Sequence, residues 1–296
     1  MVVRGVARWI WWNLFPLYVR LSVLMKRRYP LATLREYADI SGTPTCKVVD
    51  AESVATAQPK VFPICDQAYV VAAQGRYTFP EIFVATMKNA ITLGGTNFIV
   101  ADGKVVCHDL YDFEHDYTAE ELHGRALISP KSRHVRLVFR DKKPDTTPVA
   151  ATFVDACAPN YAHWMTEVLP RVALFCTEER FKSVPILVND GLHPNIMESL
   201  FLVAGANREV ITLPTGKALA VDELYLTSVA GYVPFERRIK EGSGHSHGIF
   251  SLRGLELVRE RLAKVTREMD TGSFPEKVFI RRNSGVRKVT NAAEIE

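Results

Sequence analysis

The part of the chain after residue 148 alternates short apolar runs with longer amphipathic segments. The pattern predicts three strands and two helices, in the order strand 149–157, helix 161–178, strand 185–188, helix 194–204 and strand 210–213. Strands that alternate with helices are typical of a parallel sheet whose faces are covered by the helices. This feature places the chain in the α/β class.

The first junction between strand and helix carries a group of polar residues. Asn160 is a good N-cap, and His163, Glu167 and Arg171 follow it at spacings of three, four and four residues, so they share one helix face. An imidazole, a carboxylate and a guanidinium would then lie at the end of a strand, where open α/β sheets bind ligands. Spacing alone equally allows a partly exposed helix, in which the pair of His163 and Glu167 would add only about 0.2–0.5 kcal/mol to the stability of the helix.

The motif Asn160-x-x-His163-Trp164-x-x-Glu167-x-x-Pro170-Arg171 resembles the central signature of glycosyltransferase family 61, which includes bacterial surface-polysaccharide transferases. Two weaker stretches agree with it. Residues 89–106 look like the strand-rich N-terminal segment of that family, and residues 277–291 look like the start of its second domain. The resemblance covers residue 80 to the end, but the nucleotide-binding half of the family extends further than Glu296.

The resemblance implies a GT-B-like arrangement of two facing doubly wound lobes. Here it would consist of a strand-rich N-terminal region, a Rossmann-like parallel-sheet lobe and only the beginning of a second Rossmann-like lobe. The implied activity is an inverting, metal-independent transfer of a sugar from a nucleotide-sugar donor to the hydroxyl of a glycan or lipid-linked glycan, in the synthesis of capsule or lipopolysaccharide. No cofactor is implied, because the nucleotide sugar is a co-substrate.

The residues suggest roles in such a transfer. His163 or Glu167 would take the proton of the acceptor hydroxyl, and Asp155, just before the helix, is a third candidate. Asn160 would help to bind the substrate. Four arginines would bind the leaving phosphates: Arg171, Arg281, Arg282 and Arg287. The last three follow an apolar run at 277–280, and a solvated basic turn is the alternative there, since the glycines of known phosphate loops are absent.

Composition and patterning predict five regions along the chain. These are an amphipathic segment at 1–30, a strand-rich region at 31–145, the acceptor-side lobe at 146–248, a linking helix at 249–274 and the incomplete nucleotide-sugar-binding lobe at 275–296. A polar, Pro-punctuated linker is expected at 142–148. Within the strand-rich region, β-prone runs occur at 68–73, 81–86, 90–93, 98–101 and 104–108, and Asp102-Gly103 predicts a hairpin turn.

The N-terminal segment has the composition of a membrane-surface helix. An aromatic, apolar run at 9–25 lies between Arg4 and Arg8 on one side and Lys26, Arg27 and Arg28 on the other. The run is too short and too polar to span a bilayer, so it predicts contact with the membrane surface through residues 4–28. A helix docked on the body of the protein is the alternative. Five dispersed cysteines favour a reducing compartment, and both features together predict the cytoplasmic face of a membrane.

Other functional classes find little support in the sequence. A net charge of +4 without a basic patch argues against nucleic-acid binding. Neither the cluster His108, Asp109, Asp112, Glu114, His115 and Asp116 nor the pair His245 and His247 has a defined ligand spacing, so no metal site is predicted. A hydrolase is disfavoured for two reasons. The one Gly-x-Ser-x-Gly run, at 244–248, belongs to a flexible segment rather than to a turn between a strand and a helix. Cys157 lies in an apolar run with nothing to lower its pKa. The main alternative is a truncated, non-catalytic glycan-binding or membrane-peripheral scaffold protein.

Overall fold

A computed structural model describes residues 27–57, 60, 75–138, 143–234, 236–237 and 248–268. Contacts within the chain divide it into one unit at 1–262 and another at 263–296. The sheet and the site described below belong to the first unit. The mixed α/β class is confirmed, with a large central sheet and few helices.

The described strands are β1 (Arg28–Thr33), β2 (Thr45–Val49), β3 (Glu52–Ala55), β4 (Arg76–Phe79), β5 (Ile82–Leu93), β6 (Ile99–Ala101), β7 (Lys104–Cys107), β8 (Asp116–Tyr117), β9 (Ala126–Ser129), β10 (His134–Leu137), β11 (Asp145–Thr152), β12 (Ile186–Asn189), β13 (Val210–Leu213), β14 (Ala218–Thr227), β15 (Gly231–Tyr232), β16 (Glu236–Arg237) and β17 (Ile249–Phe250). The described helices are α1 (Leu34–Ser41), α2 (Ala119–Leu122), α3 (Tyr161–His163), α4 (Leu169–Phe175), α5 (Pro194–Ala204) and α6 (Leu252–Glu268). A π-helical segment (Trp164–Val168) joins α3 to α4, and two 3₁₀ turns lie at Pro130–Ser132 and Glu179–Phe181.

The main sheet has the strand order β13-β12-β11-β14-β5-β6-β7-β1-β10-β9, and β2 also pairs with β5. The first four strands are mutually parallel. Within these four strands, the chain runs from β11 outward through β12 to β13, and then returns to β14 on the other side of β11. The strand order therefore reverses between β11 and β14, and such a reversal opens a crevice at the carboxyl ends of the two strands.

Side chains on the two faces of the parallel strands enter different cores. In β12, Ile186 and Val188 pack in the cluster that contains Trp164, Leu169 and the other buried side chains of the helical layer, whereas Leu187 faces the opposite cluster. This alternation follows from the two-residue period of a strand. Because β12 is buried on both faces, it reads in the sequence as a short continuous apolar run.

Three neighbouring strands of the sheet share a kink. The regular pairing is interrupted at Pro148 in β11, at Asp222 in β14 and at Asn89 in β5. Asn89 has a φ of 49°, which a residue in a regular strand does not adopt. Proline has no N–H to give to a ladder, so the interruption at Pro148 follows from its chemistry.

The kink folds the sheet back on itself. Thr92 pairs with Leu219, which in turn pairs with Asp145, seven residues before Thr152 in β11. In a flat sheet, Thr92 would lie level with Asp145, and Thr152 would lie about 23 Å further along the strands. The hydroxyl oxygens of Thr92 and Thr152 are nevertheless 3.3 Å apart. The fold-back therefore carries the end of β5, and the turn that follows it, towards the carboxyl end of β11.

Several sequence-based boundaries differ from the structure. The first strand ends at Thr152 rather than at residue 157, and the expected linker contributes residues 145–148 to β11. The runs at 81–86 and 90–93 form the single long strand β5, because pairing with β14 continues in the same register on both sides of Asn89. The helix at 194–204, the strand at 210–213 and the Asp102-Gly103 turn, with φ values of 48° and 71°, are confirmed.

The regions at 31–145 and 146–248 contribute strands to one sheet, through the pairing of β5 with β14. Several predictions lie outside the described residues: the segment up to residue 26, the run at 68–73, His245 and His247, and the loop with Arg281, Arg282 and Arg287. The linking helix corresponds to α6 over the part that is described. No described helix is long and apolar enough to cross a membrane.

Candidate active site

A cleft opens where the strand order reverses. One side is formed by residues that follow β11 and by the helix after it, and another by residues that follow β14. A third side comes from the N-terminal region, which the fold-back brings to this place. The cleft is lined by Asn97, His108, Tyr111, Ala119, Asp155, Cys157, Glu167, Arg171, Val229, Gly231, Tyr232 and Val233.

The cleft is narrow. Its free volume is about 20 Å³, which is room for about one water molecule or one hydroxyl group. A whole sugar ring does not fit into this space, whereas a single hydroxyl group projecting from a ring does. The carboxylate of Glu167 and the guanidinium of Arg171 both belong to residues of the lining.

The helix that carries the polar motif contains a π turn. The N–H of Leu169 bonds to the carbonyl of Trp164, five residues back. The next residue, Pro170, has no N–H, and in a regular α-helix its ring would press on the carbonyl of Thr166. The wider turn relieves this clash, and π segments of this kind are frequent at functional sites. Gly231 packs so closely on the freed Thr166 carbonyl that a Cβ atom there would lie 2.4 Å from its oxygen.

His163 and Glu167 form a hydrogen-bonded pair on one face of this helix. The Nδ1 atom of His163 bonds to Oε1 of Glu167, and each residue is 9% exposed. The bond to Glu167 raises the pKa of His163, while burial raises the pKa of Glu167. Two interacting groups of this kind share protons and titrate as one unit. The pair therefore provides acid–base chemistry at the edge of the cleft.

Asp155 and Arg171 form a second, fully engaged pair beside it. Arg171 donates from Nη2 to Oδ2 of Asp155 at 2.9 Å and from Nε to the carbonyl of Glu167 at 3.2 Å. The other oxygen of Asp155 accepts the N–H of Cys157 at 2.8 Å. Asn189, at the end of β12, completes the arrangement because its side chain bonds to both the N–H and the carbonyl of Asp155, each at 2.9 Å.

These contacts distinguish the predicted site residues from one another. Glu167, Asp155 and Arg171 line the cleft, and His163 contacts it through Glu167. Both oxygens of Asp155 already accept hydrogen bonds, from Arg171 and from Cys157, whereas Glu167 bonds to His163 through one oxygen. Asn160 caps the helix by accepting the N–H of Ala162 at 3.0 Å, and it is exposed. The helix is exposed at its start, where Tyr161 is 55% exposed, but its polar face is not, because His163, Glu167 and Arg171 are buried.

The N-terminal side of the cleft contains residues that the sequence motif does not include. Glu120 accepts the N–H of Asn97 at 3.1 Å and the hydroxyl of Tyr111 at 2.9 Å. Burial raises the pKa of Glu120 to about 7. A sequence signal for its position exists: Thr118 and Glu121 form a capping box, whose Thr-x-x-Glu spacing marks a helix start and places Glu120 in the first turn.

The acidic cluster that follows β7 does not converge on one point. His108 lines the cleft, where burial lowers its pKa to about 3. Asp109 instead accepts the N–H of Arg35 at 2.8 Å, and Asp112 pairs with His115 at the surface. Within the ranges that the structure covers, no group of three or more His, Cys, Asp or Glu side chains could hold a metal ion.

Cys157 also lines the cleft, in the turn after β11 rather than in the predicted strand. Burial raises the pKa of its thiol well above the ordinary value. The thiol therefore stays protonated at neutral pH and is a weak nucleophile. This state gives no support to a cysteine hydrolase.

Comparison of the chain with models of protein families, with curated protein sequences and with solved structures gave no match.

Proposed function

We propose that this protein is a glycosyltransferase that moves a sugar from a nucleotide-sugar donor to a hydroxyl group of a glycan or lipid-linked glycan. The observation that carries the proposal is the buried pair of Glu167 and His163 beside a cleft at the carboxyl ends of parallel strands. The signature that contains both residues resembles glycosyltransferase family 61. The proposed setting is surface-polysaccharide synthesis at the cytoplasmic face of a membrane.

In this proposal Glu167 is the proton acceptor. The acceptor hydroxyl enters the cleft, loses its proton to Glu167 and attacks the anomeric carbon of the donor. The bond between that carbon and the phosphate oxygen breaks, and its electron pair leaves with the diphosphate. Attack from the side opposite the leaving group inverts the configuration. His163 then stabilises the extra proton, because its ring shares a hydrogen bond with Glu167.

The arginines have different parts in this scheme. Arg171 lies on the cleft, but its Nη2 and Nε atoms are held by Asp155 and the helix backbone. It therefore supplies a fixed positive charge to the site and holds the carboxylate of Asp155 in place. Binding of the leaving diphosphate is assigned to Arg281, Arg282 and Arg287 within a GT-B-like second lobe. This assignment rests on the sequence, since the three arginines lie outside the described residues.

A donor screen tests the proposal. The full chain is incubated with different nucleotide sugars and a panel of glycan acceptors, with and without a chelator, and released nucleotide is measured. We expect release from at least one donor, and a loss of about a hundredfold or more in turnover in Glu167→Gln and His163→Ala. Glu198→Gln, an exposed carboxylate on α5, is the matched control and should not change turnover.

Two results would contradict the proposal. Absence of nucleotide release from every donor removes the transferase activity altogether. Unchanged turnover in both Glu167→Gln and His163→Ala removes this helix face from the chemistry, even if transfer occurs.

A non-catalytic glycan-binding protein is the second candidate. The observation that favours it is that Arg171, the one arginine or lysine among the described residues of the cleft lining, already bonds to Asp155 and to the carbonyl of Glu167, so the lining itself offers little to a leaving diphosphate. In the same screen this candidate predicts glycan binding without nucleotide release from any donor.

A further inference from the structure

The carboxylate of Glu120 is an unusual group for the interior of this protein. It is 0% exposed, and among the described residues no cation lies within ion-pair distance of it. An unpaired buried carboxyl group is costly, because it loses its hydration without gaining an opposite charge. Groups of this kind beside a cleft are candidates for a functional role.

Both oxygens of Glu120 are used to hold one neighbouring residue. One oxygen accepts the backbone N–H of Asn97 at 3.1 Å. The other accepts the hydroxyl of Tyr111 at 2.9 Å, and the oxygen of that hydroxyl accepts Nδ2 of Asn97 at 3.1 Å. The carboxylate therefore fixes the backbone of Asn97 directly and its side chain through Tyr111.

The amide of Asn97 keeps unused bonding capacity on the cleft. Its Nδ2 atom carries a second N–H, and Oδ1 is an acceptor with two lone pairs. The Tyr111 hydroxyl, 3.5 Å from Oδ1, already donates to Glu120 at a much shorter distance. Asn97 is only partly buried and lines the cleft together with Glu167 and Arg171.

The chemistry of this side of the cleft suits a neutral hydroxyl group. A hydroxyl group both donates and accepts a hydrogen bond, and an amide offers one partner of each kind. The free volume admits one such group. An anionic group would be repelled by Glu120 when that carboxyl is ionised, and no described cation beside Glu120 compensates for the repulsion.

We propose that Asn97, held in place by Tyr111 and Glu120, binds a hydroxyl group that projects into this cleft from a neutral sugar ring outside it. The inference rests on the proposed function and adds a specificity-determining residue to it. Asn97 is the contacting residue, and Tyr111 and Glu120 are positioning residues. The sugar ring belongs either to the acceptor or to the donor, and both carry the same hydroxyl chemistry.

Ligand binding measured without turnover tests this inference. The probes are methyl glycosides of glucose, galactose, mannose and N-acetylglucosamine, and separately UDP-glucose and GDP-mannose, titrated into the full chain by NMR. We expect Asn97→Ala to raise the Kd of at least one probe about five- to tenfold, as loss of one hydrogen bond does. Asn207→Ala removes an exposed amide that does not belong to the cleft lining and should leave every Kd unchanged.

Tyr111→Phe separates positioning from mere packing. If Tyr111 acts through Asn97, its substitution weakens binding of the same probe, and the double variant binds no more weakly than Asn97→Ala alone. Full additivity of the two effects overturns the positioning role of Tyr111. A thermal melt of each variant verifies that the proteins are folded, and Asn97→Ala decides the main point even if Tyr111→Phe does not fold.

The outcomes separate this inference from the transferase proposal. Weaker binding of methyl glycosides alone assigns the hydroxyl to the acceptor, and weaker binding of nucleotide sugars alone assigns it to the donor. Wild-type affinity in Asn97→Ala, or no binding of any probe to the wild type, overturns the inference. Nucleotide release that requires Glu167 but not Asn97 also overturns it and leaves the transferase in place. Asn97-dependent binding without release supports a glycan-binding site and rejects the transferase.

Discussion

The two sides of the cleft bury carboxylates in different ways. On the side of the parallel strands, Asp155 is paired with Arg171 and Glu167 with His163. On the N-terminal side, Glu120 has only neutral partners among the described residues, the N–H of Asn97 and the hydroxyl of Tyr111. The first side is electrostatically compensated, and the second relies on hydrogen bonds alone.

This difference matches two tasks that the proposed transferase site would have to perform. A compensated pair can keep a carboxylate charged at neutral pH, as proton abstraction requires. A carboxyl group without a cation gains less from being charged, so its contribution is to orient neutral groups around it. The comparison predicts that removing a charge on the first side lowers the free energy of unfolding. On the second side, the effect on the free energy of unfolding depends on pH.

The largest expected effect is on the compensated side. Arg171→Met leaves the buried carboxylate of Asp155 without its partner, and loss of one member of a buried pair costs about 3–5 kcal/mol of unfolding free energy. Urea unfolding measures this change. Lys182→Met, which breaks an exposed pair with Glu179, is the control and should cause no measurable change. A loss of stability as small as that of the control would show that the pair is not buried.

On the N-terminal side, the effect of removing charge depends on pH. Burial raises the pKa of Glu120 from 4.5 to about 7, so the folded state holds this proton more tightly than the unfolded chain. The resulting stabilisation is complete below pH 4.5 and is lost as the pH rises through 7. We expect the stability of the wild type relative to Glu120→Gln to fall by about 2–3 kcal/mol between pH 5 and pH 8.

Urea unfolding of both proteins over this pH range checks the expectation. The difference between the two profiles isolates Glu120 from the other titrating groups. Parallel profiles would mean that Glu120 is compensated after all, and the contrast between the two sides of the cleft would disappear.

A smaller effect concerns the irregular helix of the compensated side. In Gly231→Ala the added Cβ would lie 2.4 Å from the Thr166 carbonyl oxygen and 2.8 Å from a ring carbon of Phe250. The backbone must shift, at a cost of about 1–2 kcal/mol. We expect lower stability and, because the π turn carries Glu167, lower turnover.

Gly254→Ala is the matched control for this substitution. A Cβ atom added at Gly254 would lie 3.2 Å from its nearest neighbour, the Cβ atom of Pro170. Equal effects of the two substitutions would show that Thr166 tolerates a side chain at residue 231. The π turn would then not depend on this close approach.

The sequence was informative wherever the pattern is local. The strand at 210–213, the helix at 194–204 and the hairpin turn at Asp102-Gly103 follow from periodicity and turn chemistry, and the structure has them at those places. The shared face of His163 and Glu167 follows from helix geometry. Periodicity did not reveal the π turn, although Pro170 inside a helical pattern was a visible sign of irregularity.

The second side of the cleft was not visible in the sequence. His108 stands in an acidic run that is typical of solvated loops, and Glu120 is an ordinary acidic residue in the first turn of a short helix. Neither the burial of Glu120 nor its bonds to Asn97 and Tyr111 can be read from spacing. They depend on which distant strands pair and on the kink at Asn89.

The sequence by itself determined the α/β alternation and the helix that places an imidazole beside a carboxylate, because hydrogen bonding within helices and strands imposes fixed periods on neighbouring residues. Only the tertiary structure decided that the sheet folds back, that Asn97 and Tyr111 lie opposite Glu167, and that one carboxylate is paired while another is not. Contacts between residues far apart in the chain depend on the packing of whole elements, and no local period records them.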